Sequence, residues 1–188
     1  MRIVSGRFRG LRLNTPEKGA PTRPTTDRAR EGLFSALGAR VEGARFLDLY
    51  SGTGANAIEA LSRGAEEVVL VERHPKALRC IRKNLALVDD PPEITIFRGD
   101  VAKFLAGEPE PFDLVFADPP FKIPPEKVLA FPGVAAAVRP GGAFVIEYRR
   151  DRSQKDPPPP PAPPGYSTGK TYRHGEAGIT VYWRDEEA

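Results

Sequence analysis

The sequence predicts an α/β fold in which a parallel sheet carries helices on both faces. Two patterns lead to it. From residue 45 onward, short apolar runs alternate with helix-like segments. The runs themselves, such as Val68-Val69-Leu70-Val71 and Leu114-Val115-Phe116-Ala117, are continuously apolar rather than alternating, as expected of strands buried on both sides. A third observation fixes the direction of the sheet: the first run enters Gly52-Thr53-Gly54, a turn that lets a ligand approach the backbone at the carboxyl end of a strand.

Element by element, residues 2–13 read as a short hairpin around Gly6 and Gly10. A polar Pro/Gly stretch runs from Thr15 to Pro24. Thr25-Thr26-Asp27 then offers cap chemistry for a helix bearing Ala29, Leu33, Phe34 and Leu37. Arg45 to Leu49 is the first strand, and Ala55 to Ser62 the helix after the Gly turn. Val68 to Val71 is the second strand, and Pro75 opens a helix through Leu78, Ile81 and Leu85. Ile94 to Phe97 is the third strand, Val101 to Leu105 a short helix, and Leu114 to Ala117 the fourth strand. Residues 126–138 read as helical with a break or kink at Pro132. Pro140-Gly141-Gly142 reads as a turn before a fifth strand, Ala143 to Tyr148, and Ile179 to Trp183 as a final, antiparallel strand. The proline-rich segment 156–164 cannot enter a sheet and is expected to be a polyproline spacer or mobile loop.

The 188 residues suit one domain of this kind with a small appendage. The single Cys80 excludes disulfide frameworks and zinc ribbons; it is expected to be a buried thiol, and no metal site is expected. No apolar run of membrane-spanning length occurs. Met1 to Arg7 lacks the apolar stretch of a secretory signal, so a cytoplasmic location is expected. The formal charge of +3 is unevenly spread. Residues 1–30 hold eight basic and two acidic side chains, a net +6, which leaves −3 on the remaining 158. A basic arm on a mildly acidic body points to a polyanionic partner. The expected division is therefore an RNA-binding extension over residues 1–40 and a catalytic domain over 41–188.

Four acidic positions then follow strand ends or lie within them. Asp48 precedes the Gly turn, where a carboxylate opposes a pyrophosphate and suits an ammonium. Glu72 closes the second strand, 24 residues beyond Asp48, where an acid can accept both ribose hydroxyls. Asp100 follows the third strand, placed to accept from an adenine amino group. Asp118-Pro119-Pro120-Phe121 follows the fourth. Its prolines remove two N–H donors and stiffen the backbone, which leaves a rim of acceptors beside an aromatic face, suited to a planar base held by an exocyclic amine.

This series resembles the class I S-adenosylmethionine-dependent methyltransferases that act on amino groups. Ile3-Val4-Ser5-Gly6-Arg7-Phe8-Arg9-Gly10, Arg23-Pro24-Thr25-Thr26-Asp27-Arg28-Ala29-Arg30-Glu31 and Glu59-Ala60-Leu61-Ser62-Arg63-Gly64-Ala65 narrow the resemblance to the RsmD family, guanine-N2 methyltransferases of small-subunit (16S) ribosomal RNA. The resemblance runs over about residues 2–184 and implies a Rossmann-like sheet. It implies S-adenosylmethionine contacts at Asp48, Ser51, Gly52, Gly54, Asn56, Glu72, Arg73, Asp100, Val101 and Asp118. Catalytic roles fall to Asp118, Pro119, Pro120 and Phe121, and RNA contacts to Arg7, Arg9, Arg12, Arg23, Arg28 and Arg30. The implied partner is 16S rRNA or the small ribosomal subunit, with no obligate protein partner. The competing readings are an adenine-N6 methyltransferase, a non-catalytic RNA-binding assembly factor on the same fold, and an NAD-dependent oxidoreductase. The last is opposed by Asp48 at the phosphate position.

Overall fold

Where the apolar runs predict strands, the computed structural model has strands, joined into one seven-stranded sheet of order β3-β2-β1-β4-β5-β7-β6. It describes residues 1–16, 27–150 and 158–186. In chain order the elements are α1 (Asp27–Leu37), β1 (Arg45–Leu49), α2 (Ala55–Ser62), β2 (Glu67–Glu72), α3 (Pro75–Leu85), β3 (Ile94–Arg98), α4 (Val101–Ala106), β4 (Phe112–Ala117), α5 (Pro125–Leu129), α6 (Val134–Ala137), β5 (Val138–Arg149), β6 (Tyr166–His174) and β7 (Ala177–Arg184). Strands β1 to β5 are parallel, and β7 runs antiparallel between β5 and β6. Their order reverses between β1 and β4, so the loops after β1 and β4 leave in different directions and open a crevice at the carboxyl edge.

Strand alternation divides the core in two. Phe46, Leu114 and Phe116 pack with α2, α3 and α1 on one face. Leu47, Leu49, Val115 and Ala117 pack with α4, α5 and α6 on the other. Both faces are covered, which explains the continuous hydrophobicity of the strands. Pro75 stands in the first turn of α3, where its missing N–H has no helical partner to lose. Among the described residues no helix is long and apolar enough to cross a membrane.

The N-terminal hairpin forms, with an antiparallel bridge between Arg2 and Arg12. It joins the α2-side core through the buried side chains of Ile3 and Leu13, each stabilising by about 2 kcal/mol on burial. A polar clamp holds it down. The buried Glu59 carboxylate of α2 accepts from the amides of Val4 (2.7 Å) and Ser5 (3.0 Å), and the Ser62 hydroxyl accepts from the Phe8 amide at 2.9 Å. Gly6, at φ +80°, lies so close to α2 that a Cβ there would stand 1.7 Å from the Ser62 carbonyl oxygen.

The break expected at Pro132 divides the 126–138 segment into two short helices, α5 and α6. Three expectations need correction. Pro140-Gly141-Gly142 is no turn but part of β5, which begins at Val138 and shifts register against β4 between Phe112 and Leu114. Strand β6 has no counterpart among the expected elements; its Tyr-Ser-Thr-Gly-Lys-Thr-Tyr sequence is mostly polar because it lies at the sheet's edge. The described part of the proline tract is packed rather than loose: Pro160 and Pro163 are buried, and the Tyr182 hydroxyl donates to the Pro160 carbonyl at 2.6 Å.

Candidate active site

The carboxyl edge of the parallel strands opens into a cavity of about 680 Å³. Its first wall is the β1–α2 turn. Tyr50, Gly52 and Gly54 all adopt positive φ (61°, 57° and 75°), a sharp reversal that two glycines accommodate without Cβ strain. The Ser51 hydroxyl donates back to the Asp48 carbonyl at 2.6 Å, and the Gly54 amide donates to the Ser51 carbonyl at 2.8 Å. The turn is thus fixed from within.

Glu72, at the end of β2, ties this turn to the next. Its Oε2 accepts from the Gly52 amide at 2.9 Å, and its Oε1 from the amides of Arg73 (2.8 Å) and His74 (2.7 Å). Three backbone donors hold the carboxylate in place, and its Oε2 keeps a lone pair for a further donor. Asp100 is engaged differently from the sequence expectation. Its Oδ1 caps α4 by accepting from the Ala102 amide at 2.9 Å, and its Oδ2 pairs with Arg73 Nη1 at 2.8 Å. Both partners of that pair are largely exposed, so its stabilisation is small.

Asp48 lies beneath the turn rather than in the cavity wall. It is buried on β1 beside Leu70 and Phe116, and neither carboxylate oxygen makes a hydrogen bond among the described residues. Burial, and secondly the Glu72 charge, push its pKa up to about 8. The nearby Ala57 amide and Ser51 side chain offset this in part without meeting either oxygen in a normal hydrogen bond. Asn56 Oδ1 and His74 Nδ1, both on residues lining the cavity, are likewise buried without partners. Unused acceptors therefore gather at this end.

The opposite wall is the loop after β4. Asp118, Pro119, Pro120 and Phe121 all line the cavity. The Asp118 amide donates to the Leu49 carbonyl at 3.3 Å, and the Pro120 carbonyl accepts from the Ile123 amide at 2.7 Å, closing the loop on itself. Phe121 is 41% exposed, with the Arg149 guanidinium 5.9 Å from its ring centroid.

The structure thus brings Ser51, Gly52, Asn56, Glu72, Arg73, Asp100 and Val101 to the same cavity as the Asp118–Phe121 loop. Asp48 and Gly54 support the turn from below. Sequence reasoning misses Tyr50, Lys122 and Glu147, which also line it. Glu147 is legible by the signal that reveals Asp48, an acid interrupting an apolar strand. Glu176 and Ala177, in the β6–β7 region, complete that side.

The basic arm is only partly as expected. Arg7, Arg9 and Arg12 are exposed; Arg7 stacks on Phe8 at 4.6 Å and pairs with Glu93 at 3.6 Å. Arg23 and the side chain of Arg28 lie outside the described residues. Arg30 is a correction: at 0% exposure it cannot reach a phosphate. It donates to Asp27 (2.7 Å) and the Arg2 carbonyl (2.6 Å) and faces Glu59 at 3.6 Å, so its charge serves the clamp.

A parallel sheet reversed at β1/β4, a lone antiparallel strand inserted between β5 and β6, and an acid-rich cavity at the strand ends define the class I, Rossmann-like methyltransferase fold. Within that class the chain belongs to the RsmD family, described as conserved hypothetical protein 95, which matches residues 1–183. It is 38% identical over 122 residues to the ribosomal RNA small subunit methyltransferase D of Escherichia coli K12; the match covers 65% of this chain and 61% of that protein. The solved structure of yhhF from Escherichia coli superposes with a TM-score of 0.84 at 29% identity, covering 99% of this chain and 98% of the other. A hypothetical protein of Thermus thermophilus gives 0.75 at 29% identity, over 96% and 98% of the two chains.

Proposed function

We propose that this chain methylates the exocyclic N2 amine of a guanine in small-subunit (16S) ribosomal RNA, using S-adenosylmethionine, within an assembled or assembling subunit in the cytoplasm. The observation that carries the reading is one cavity shared by the Gly52 turn, Glu72 and the Asp118–Phe121 loop. The relative from Escherichia coli is by name a small-subunit rRNA methyltransferase, which supports the substrate class.

The residues fit the cofactor. The unpartnered Asn56 Oδ1 on the cavity wall suits the ammonium of an amino-acid moiety, with the Asp48 carboxyl buried beneath the same turn, and Glu72 suits a ribose diol. Gly52 and Ser51 let the ligand lie close to the backbone, with Gly54 shaping the turn. Arg73, Asp100 and Val101 border the space left for its base. When bound, the cofactor supplies a methyl group on a sulfonium, already activated for transfer. The protein's own task is then alignment. Asp118, together with the Pro119 carbonyl, accepts hydrogen bonds from the guanine NH₂ and turns the nitrogen lone pair toward the methyl. The rigid Pro119-Pro120 backbone keeps those acceptors in place, and Phe121 stacks on the base. An Asp118 carboxylate oxygen takes the proton that the methylated nitrogen sheds.

Residues 1–40 act as the RNA-holding extension and 41–188 as the transfer domain. Arg7, Arg9 and Arg12 meet phosphates, and extruding the guanine costs about a few kcal/mol, offset by those contacts. The test offers tritiated S-adenosylmethionine with 30S particles, naked 16S rRNA and duplex DNA, and identifies the labelled nucleoside by mass. The expected product is N2-methylguanosine in the particle or its RNA. Label confined to N6-methyladenosine would replace this reading with the adenine-N6 one, and no label in any substrate would favour a non-catalytic assembly factor.

A further inference from the structure

Asn84 is a polar side chain on the buried face of α3, otherwise formed by Ala77, Leu78, Cys80, Ile81 and Leu85. It is 0% exposed. A buried amide is costly unless hydrogen-bonded, and an apolar residue would fill the place more cheaply. Its bonds run in two directions. Toward the arm, Oδ1 accepts from the backbone amide of Asn14 at 2.7 Å and from its side-chain Nδ2 at 3.0 Å, while Asn84 Nδ2 reaches the Asn14 carbonyl at 3.3 Å. Toward the β1–α2 turn, Nδ2 donates to the Thr53 carbonyl at 2.9 Å.

That carbonyl belongs to the Thr53–Gly54 peptide, whose N–H donates to the Ser51 carbonyl at 2.8 Å. Both polar ends of one peptide plane are therefore held. The plane lies between Thr53 and Gly54, and Gly54, at positive φ, has the freedom that would otherwise let it turn over. The arm sets the sense of the Asn84 amide. With the Asn14 N–H against Oδ1, only Nδ2 remains to face Thr53; reversed, oxygen would oppose oxygen. A second contact joins the same elements: the Thr53 hydroxyl donates to the Met1 sulfur at 3.7 Å, and both residues line the cavity.

We propose that Asn84 is a positioning residue for cofactor binding, holding the Thr53–Gly54 peptide in its ligand-accepting orientation and taking its own orientation from Asn14 of the arm. Arm docking and cofactor affinity are thereby coupled, and the coupling is reciprocal. The inference rests on the methyltransferase reading of the cavity.

The experiment titrates S-adenosylhomocysteine into the full chain by calorimetry, alongside thermal midpoints without ligand and cofactor KM and kcat. Losing the bond to Thr53 in Asn84→Leu should weaken binding about tenfold and raise the cofactor KM in step, while kcat at saturating cofactor stays near native; the midpoint falls as well, because the Asn14 amide and the Thr53 carbonyl lose their partner. Asn84→Asp, equal in size but presenting oxygen to Thr53, should lose at least as much. Asn14→Pro removes both donors to Oδ1, the backbone N–H and the side-chain Nδ2, and should weaken binding in the same direction; it decides the matter should Asn84→Leu not fold. Affinity within twofold of native in Asn14→Pro and in the Asn84 variants that fold overturns the inference, as does a lowered midpoint with affinity unchanged. A native chain that takes up no S-adenosylhomocysteine overturns the methyltransferase reading, and this inference with it.

Discussion

The two ends of the cavity are built on opposite principles. At the β1–α2 turn the backbone is held: Gly52 by Glu72, Gly54 by Ser51, and the Thr53 carbonyl by Asn84. At the loop after β4, two prolines strip donors from the backbone and Phe121 is partly exposed. One end is fixed before any ligand arrives; the other presents a stiff, acceptor-lined, aromatic edge to the outside. In the proposed reading the first suits a small cofactor, whose affinity depends on preorganisation, and the second a macromolecular substrate.

Substitution at each end should separate these roles, with the largest effect at Glu72. Glu72→Ala leaves the amides of Gly52, Arg73 and His74 without their acceptor, at about 1–3 kcal/mol for each that stays dry. S-adenosylhomocysteine affinity should fall by more than about 100-fold, read by calorimetry. Asp118→Ala should abolish methyl incorporation while leaving that affinity within about threefold, because the bonds to the reacting amine are lost and the β1–α2 turn is untouched. Loss of cofactor binding in Asp118→Ala would erase the distinction between the two ends.

Asp48 sharpens the comparison, since among the described residues neither of its buried carboxylate oxygens has a hydrogen-bond partner. Its pKa stands at about 8 in the folded state against 3.8 as a free side chain. Between those values the folded chain keeps a proton that the unfolded chain has lost, so stability falls as pH rises through this window. Asp48→Asn should remove that slope and raise the ligand-free thermal midpoint at the alkaline end. Equal slopes in the two proteins, measured by thermal melts across the window, would mean that Asp48 is already ionised.

Much of this is legible in the sequence because strands buried on both faces leave an unbroken apolar signature, and an acid inside one stands out. Asp48 announces itself that way. Glu147 carries the same mark within Ala143 to Tyr148 but escapes notice, because no motif flanks it. Strand β6 is illegible for a physical reason: an edge strand pairs on one side and need not be apolar. Polar residues that work by being buried are harder still. Asn84 and Glu59 resemble the exposed side of a helix until their neighbours are known. The charge of Arg30 suggests a phosphate contact, although its spacing to Phe34 places both on one face of α1, and Phe34 is core.

Arg30 and the exposed arginines of the hairpin extend the contrast between fixed and open regions to the arm, with the smallest effects. Arg9 and Arg12 are exposed, so replacing both with Gln should leave the thermal midpoint unchanged. Binding to 16S rRNA should weaken, and the slope of log affinity against log salt should flatten by about one for each phosphate no longer neutralised. Arg30→Gln should do the reverse. It removes the charge facing Glu59 and Asp27, lowers the midpoint, and leaves the salt slope of the folded protein unchanged, because a buried guanidinium releases no counterions from RNA. A flattened slope in Arg30→Gln, measured where the variant is still folded, would mean that the clamp opens when RNA binds.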